Sequence, residues 1–340
     1  MFKKSLFIIS TLLLLQPRIR RHWHNDWFRR QYSVQNVEIQ TADQRLFVVL
    51  STTLTTAARP EDYAFLAPLV ALSWFFQGFQ PIIIVVTDDL AVYNSTKDIW
   101  SLVLPPNTVL VPIVANRRIA VTVAQISRLF AQYLVPWLPE EAYLRVTDGD
   151  MMIFNDSHFK PSFSHDISIH NGDCCRGNFT PDSRYTSRTL CNQYPMHSVG
   201  MKVKLWKTLF FFASKESPTT CVLELASSLV ESSKPTSKSI VHGGKGWFSD
   251  QLILGCRIDD VIEKNEYSVQ LLPVGRLRRV HLEDIPNIAP EVHLAAFKLS
   301  HHHQWMEKII SQSLNFRDIQ KLYTMYTSQW IEQNGIVTIM

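Results

Sequence analysis

The sequence predicts an α/β protein built on a doubly wound, mostly parallel sheet flanked by helices and forming a single large domain. Three observations lead there. Apolar runs without polar alternation recur along the chain: RLFVVLSTT from residue 45, PIIIVVTDD from 81, NTVLVPIV from 107 and AYLRVTDGD from 142. Continuous apolar runs are the mark of parallel strands covered on both faces. Helix-length segments alternate with these runs, an order that gives a parallel sheet wrapped on both sides. Acid-bearing turns close two of the runs, Thr87-Asp88-Asp89 and Thr147-Asp148-Gly149-Asp150. In open α/β sheets, ligands bind beyond the carboxyl ends of the strands.

The elements follow in order. RPEDYAFLAPLVALSWFFQGF (59–79) reads as the first helix. With the strand behind it, it makes an apolar stretch from Phe65 to Val86 that resembles a membrane span. Gln77, Gly78, Gln80 and Pro81 interrupt that stretch at one point, and the punctuation divides it into a buried helix, a turn and a buried strand. ANRRIAVTVAQISRLFAQYLV (115–135) is an amphipathic helix with Ile119, Val123, Ile126 and Phe130 on one face. Beyond Asp150 the pattern loosens. DISIHNGDCC (166–175) reads as a short strand and loop, and MHSVGMKVKLWKTLFFFA as a turn followed by a helix. ESSKPTSKSIVHGGKG is a Ser/Lys/Gly-rich loop suited to a flexible lid. GWFSDQLILGCRI reads as helix and VQLLPVGRLRRVHL as strands, and helical patterns close the chain at 301–313 and 316–333.

At the N-terminus, MFKKSLFIISTLLLLQPRIRR has two lysines, an apolar run from Leu6 to Leu15, Pro17 and three arginines. This is the layout of a signal sequence or signal-anchor. The run falls short of the roughly 20 residues that span a bilayer comfortably, and no small-x-small cleavage site follows it. The expected organisation is a signal-anchor at 1–17, a basic stem at 18–42, the domain at 43–300 and a C-terminal helical extension at 301–340. A buried N-terminal helix is the alternative for the first segment. The anchor implies a single-pass type II protein whose domain is lumenal, in the Golgi or endoplasmic reticulum, with a secreted form as the cleaved variant.

Composition excludes more than it selects. With 46% hydrophobic and 19% charged residues the chain has the make-up of a globular protein with a large core. A formal charge of +4, evenly spread, does not point to nucleic acid. Five cysteines, at 174, 175, 191, 221 and 256, contain no pair of CxxC motifs, which argues against structural zinc and leaves one or two disulfides with a thiol over. Sequons occur at Asn94, Asn155 and Asn178 and are compatible with a secreted domain.

The chemistry centres on Asp148-Gly149-Asp150. Two carboxylates this close repel unless something positive lies near them. A divalent cation bound to a diphosphate supplies that charge, since it takes hard oxygen ligands and keeps open positions for phosphate. Glycine between them allows the backbone to turn so that the acids converge. The competing reading is a polar turn that merely closes a strand.

LRVTDGDMMIFN resembles the Asp-x-Asp segment of glycosyltransferases of the GT-A fold, in which an apolar strand runs into Asp-x-Asp and then a second apolar segment. GWFSDQLIL is similar to the Trp-x-x-Asp-Gln pattern that places an acid near the reacting sugar, and HSVGMKVKLWKTLF to the segment shaping the acceptor side. The resemblance spans roughly residues 44–300, and the Asp-Gly-Asp and Ser-Asp-Gln segments are its specific parts. It implies a GT-A-like domain that moves a sugar from a UDP- or GDP-sugar to a hydroxyl of a glycan, protein or lipid, using Mn2+ or Mg2+. By the same resemblance Asp150 coordinates the metal directly. Asp148 reaches the metal through water or contacts the ribose, and His293 is the third ligand with His281 in reserve. Arg117 or Arg118 faces the donor diphosphate or sugar. Asp250 acts as a general base or positions the donor sugar; its plainer reading is an N-cap for the helix that follows. Thr52, Thr53 and Asp88 are candidates for the nucleotide from their place at strand ends.

Two other classes fit parts of the pattern. A binding or scaffold protein with dead chemistry shares the fold, but both acids of the triplet are present. A metal-dependent nucleotidyl or phosphoryl transferase also uses paired carboxylates, but the first strand is followed by STTLTTAARPED and not by a glycine-rich, lysine-bearing loop. His301-His302-His303, RLRR (276–279), the Gly243-Gly244-Lys245 loop and Cys174-Cys175 read as surface or structural features.

Overall fold

The computed structural model describes residues 45–55, 60–153, 159–161, 164–170, 178–179, 190–212, 215–232, 249–272, 291–293, 325–330 and 332. The strands are β1 (Leu46–Thr53), β2 (Gln80–Thr87), β3 (Val109–Val114), β4 (Tyr143–Val146), β5 (Met151–Ile153), β6 (Ile167–His170), β7 (Asn178–Phe179), β8 (Cys191–Asn192), β9 (Val199–Lys202), β10 (Val269–Leu272) and β11 (Glu291–His293). The helices are α1 (Pro60–Phe76), α2 (Leu90–Trp100), α3 (Arg117–Ser127), α4 (Ala131–Leu134), α5 (Val203–Leu209), α6 (Pro218–Ser232) and α7 (Ser249–Lys264), with single 3-10 turns at Arg128–Phe130 and Met196–Ser198.

Seven strands form one sheet in the order β10-β6-β9-β4-β1-β2-β3. β3, β2, β1 and β4 are parallel neighbours, as are β6 and β10. Only β9 runs the other way, between β4 and β6. The chain builds outward from β1 to β3 and then returns to lay β4 on the far side of β1. That reversal makes the carboxyl ends of β1 and β4 the switch point of the sheet, the place where open α/β sheets in general bind ligands. The predicted class, a mostly parallel sheet with helices on both faces, is what forms.

Two cores sandwich the sheet. On one face Val48, Leu50 and Ile83 pack under α1; on the other Phe47, Val49 and Ile82 pack under α3, α5, α6 and α7. Alternate residues of β1 therefore serve opposite cores, which is why its run shows no polar alternation. α1 is apolar all round because it is covered all round. The sheet lies on one side, and helical residues 325–330 lie on the other, where Tyr326 stacks on Phe65 at 5.1 Å between ring centroids and donates its hydroxyl to the Phe65 carbonyl at 2.8 Å. The turn after α1 needs Gly78, whose φ of 87° lies in the left-handed region. The span-like stretch from Phe65 to Val86 is thus helix, turn and strand, and no described helix is long and apolar enough to cross a membrane.

The structure departs from the sequence pattern in three places. The helix expected over 115–135 is broken, because a 3-10 turn at Arg128–Phe130 separates α3 from α4. The backbone leaves helical geometry at Phe130, whose φ is −115° and ψ 15°. β9 occupies the stretch read as a turn. It is only four residues long and contains Gly200, where an added Cβ would lie 2.2 Å from the Tyr143 hydroxyl. α6 lies where the periodicity assigns no element.

The expected anchor and stem, the lid loop, His281, RLRR, the Gly243-Gly244-Lys245 loop, His301-His302-His303 and Cys174-Cys175 lie outside the described residues.

Candidate functional site

Backbone hydrogen bonds bring the Asp-Gly-Asp turn to the switch point. The Thr147 amide donates to the Val49 carbonyl at 2.9 Å and so extends the β1–β4 ladder one residue past β4. The chain then turns, and β5 leads away from it. Gly149 does not take a left-handed φ; what it supplies is room. A Cβ there would lie 2.9 Å from the carbonyl oxygen of Ser51, in the backbone of β1. The turn is therefore seated directly on the central strand.

Asp148, the first of the paired acids, has a positive partner in the protein itself, Arg128. One terminal nitrogen of its guanidinium donates to the Thr147 carbonyl at 2.8 Å and to Asp148 Oδ1 at 2.6 Å. The other donates to Asp250 Oδ2. Residues 122 apart in sequence are joined through this one side chain. Arg128 is buried, as is Asp250, whereas the Asp148 side chain keeps 30% of its exposure. Removing one partner from a buried ion pair typically costs about 3–5 kcal/mol, because the other charge is left without compensation.

The electrostatics follow from that geometry. Burial works against the Arg128 charge, yet Asp250 and Asp148 together hold its pKa above the ordinary value. Burial pushes the Asp250 carboxyl up to about 6, against the pull of Arg128, and the nearby Asp148 charge adds to the rise. Asp250 sits in the first turn of α7, and its Oδ1 accepts from the amide of the next residue, Gln251, at 2.8 Å. It lies inside the first turn of α7, which begins at Ser249, so it is not the N-cap that the plainer sequence reading made it, and its carboxylate is a partner of Arg128.

α7 is held in place at several points. A disulfide joins Cys191 to Cys256. Asp259 accepts from the Asn192 amide at 2.6 Å and from the Tyr194 hydroxyl at 3.0 Å, and Gln193 donates to Gln251 beside Asp250. Cys221 is a buried free thiol.

The other expected residues fall as follows. Asp150 is buried in the same turn as Asp148. The pairing of β11 with β5 sets His293 opposite Met151, the residue after Asp150, so the backbone of the expected third ligand runs beside the turn. Asp88 and Arg117 form an ion pair beyond the ends of β2 and β3, with Arg117 61% exposed and Asp88 15%. This pair is a separate cluster, since β1 lies between the strand end that carries Asp88 and the one that carries Asp148. Arg118 is exposed; its amide donates to Asn116 Oδ1 at 2.9 Å, capping α3. Asp89 caps α2 in the same way through the Ala91 amide at 2.7 Å. Thr52 and Thr53 are buried near the end of β1. The hydroxyl oxygens of Thr52, Thr55 and Thr147 are buried without a hydrogen-bond partner among the described residues, a condition that usually calls for a ligand or water.

The donor set suits a hard divalent cation: two carboxylates on one turn, with a histidine strand in register beside it. Among the described residues no group of three His, Cys, Asp or Glu side chains is close enough to hold a metal. Sequence reasoning missed Arg128. On a regular helix Arg128 falls opposite the apolar face of Ile119, Val123, Ile126 and Phe130, so the local pattern reads it as exposed and gives no sign of the carboxylates it meets.

No family model matches the chain, and no curated protein does. Among solved structures the chain is similar to the bifunctional glycosyltransferase WbbM in its apo form, at 13% identity and a TM-score of 0.40 over 83% of this chain; it spans about half, 52%, of that one. It is similar to the galactosyltransferase LgtC in complex with donor and acceptor sugar analogues, at 9% identity and a TM-score of 0.41, covering 82% of this chain and 100% of that one. It is also similar to mouse xyloside xylosyltransferase 1, apo form, at 11% identity and a TM-score of 0.36, covering 73% of this chain and 97% of that one.

Proposed function

We propose that this protein is a metal-dependent glycosyltransferase that moves a sugar from a UDP- or GDP-sugar to a hydroxyl of a glycan, protein or lipid. The observation that carries the reading is the convergence at the sheet's switch point of Asp148 and Asp250 on one buried arginine, with Asp150 in the same turn. Asp150, Asp148 and His293 would hold Mn2+ or Mg2+. Such an ion, when bound, neutralises charge developing on the departing nucleoside diphosphate.

The remaining steps belong to the chain's own residues. Asp250, with its carboxyl held at about 6, is largely ionised at neutral pH yet basic enough to accept a proton or a sugar hydroxyl's hydrogen bond. Arg128 keeps that carboxylate oriented and limits how far its charge is destabilised. Thr52 and Thr53 at the end of β1, and Thr55 just past it, would offer hydroxyls to the nucleoside, with Asp88 at the neighbouring strand end.

The disulfide between Cys191 and Cys256 fits an oxidising compartment. The sequon residue Asn94 lies exposed on α2. Both support a lumenal domain in the Golgi or endoplasmic reticulum, tethered through residues 1–17.

Calorimetric titration of UDP and GDP into the full chain, with and without Mn2+, on wild type and Asp150→Ala, tests the reading. Binding that requires Mn2+ and vanishes in the variant is expected. Failure of both nucleotides to bind the folded protein would replace it with the scaffold reading.

A further inference from the structure

We infer that Arg128 sets how tightly the Asp-Gly-Asp turn binds a divalent cation, acting as a resident counter-ion with which the metal must share Asp148. The inference rests on the metal site proposed above and concerns a residue outside its ligand set.

The geometry makes this charge permanent. Arg128 is buried and tethered three ways, to the Thr147 carbonyl, to Asp148 Oδ1 and to Asp250 Oδ2. Two of those tethers lie on the strand end that carries the turn, and the third lies on α7. An incoming cation therefore does not displace the guanidinium into solvent. It meets a fixed positive charge one carboxylate away, in a setting where salt screens little. With Asp250 on its far side, part of the arginine's charge is directed away from Asp148. Affinity at the turn thus depends on the balance between one cation and one anion, neither of which touches the metal.

Two substitutions of opposite charge sign should then move the affinity in opposite directions. Arg128→Met removes the positive charge and should tighten Mn2+ binding by tenfold or more. Asp250→Asn removes the negative charge and commits Arg128 more fully to Asp148, so binding should weaken several-fold. Arg128→Lys keeps the charge without the fork that grips both acids, so its affinity should stay within about threefold of wild type if charge, and not geometry, is what counts.

The measurement is titration of the full chain with MnCl2 alone, read by calorimetry at pH 7.5, with a melting curve for every variant. Asp150→Ala serves as the ligand-deletion control. A tighter Arg128→Met together with a weaker Asp250→Asn is the expected result. Should Arg128→Met fail to fold, several-fold weaker binding in Asp250→Asn beside near-wild-type binding in Arg128→Lys still supports the inference, and unchanged or tighter binding in Asp250→Asn overturns it. Unchanged or weaker binding in Arg128→Met, or unchanged or tighter binding in Asp250→Asn, would overturn the inference while leaving the metal site in place. Absence of Mn2+ binding in every folded variant would overturn both.

Discussion

Gly149→Ala is the sharpest probe of how the site is seated. The added Cβ would stand 2.9 Å from the Ser51 carbonyl oxygen, where ordinary contact begins at 3.4 Å. Something must yield by about half an ångström, and the obstacle is backbone. β1 cannot move, because it is hydrogen-bonded to β2 on one side and β4 on the other and its neighbouring residues are fully buried. The turn must move instead, carrying Asp148 and Asp150 with it. Overpacking of this kind costs about 1–3 kcal/mol, and functional constellations lose their geometry at about 0.5 Å. The expected outcome is a Tm lowered by several degrees, at about 2–4 °C per kcal/mol for a domain of this order of size. Mn2+-dependent nucleotide affinity should fall at least tenfold, which corresponds to about 1.4 kcal/mol. Gly78→Ala supplies the control: its φ of 87° makes alanine strained, by about 1–2 kcal/mol, with no atom within 4 Å of the new Cβ. It should lower Tm and leave nucleotide binding alone. A Gly149→Ala protein with wild-type Tm and nucleotide affinity within twofold would refute the seating of the turn on β1.

Three further outcomes are expected. Gly200→Ala should destabilise by about 2–4 kcal/mol, because its Cβ displaces the Tyr143 hydroxyl from Ser168 at 2.6 Å and Arg145 at 2.9 Å in a fully buried cluster; urea unfolding measures it, and an unchanged midpoint would count against the tight packing of β9 on β4. Folding raises the Asp250 carboxyl from 3.8 to about 6, so its contribution to stability is complete below about pH 4 and is lost as pH climbs through 6. Melting curves from pH 4 to 8 should therefore show wild type losing up to about 3 kcal/mol relative to Asp250→Asn; parallel stability curves for the two proteins would exclude the buried carboxylate. Replacing Cys191 and Cys256 together by serine opens a loop of 65 residues and should cost about 4 kcal/mol by loop-closure entropy, visible in denaturant midpoints; a change below about 1 kcal/mol would mean that Asp259 and its partners hold α7 without help.

How far the sequence could be read depended on how local each signal was. The span-like stretch resolved correctly into α1, its turn and β2 because Gln77, Gly78, Gln80 and Pro81 are local punctuation. β9 escaped because four residues with a glycine carry no periodicity of their own; its place comes from β4 and β6, which it joins. Gly149 was assigned a conformational role and has a steric one, set by a strand almost 100 residues earlier. Asp250 was legible by motif, but its coupling to Arg128 was not.

By itself the sequence determined the parallel α/β class and the two acid-bearing strand ends, with Asp148 and Asp150 as candidates; Asp250 and His293 became candidates only through the resemblance to GT-A glycosyltransferases. The class and the acid-bearing ends rest on hydrophobic periodicity and on residue chemistry within a few positions, which any chain segment carries with it. Only the tertiary structure decided what neutralises the acids, since a guanidinium finds its carboxylates through space. Arg128 reaches Asp148 and Asp250 because a 3-10 turn ends α3 beside β4, and because Cys191, Asn192 and Tyr194 pin α7 opposite it. Burial then raised the Asp250 carboxyl, and burial is a property of the whole packed sheet and its helices, not of any stretch of sequence.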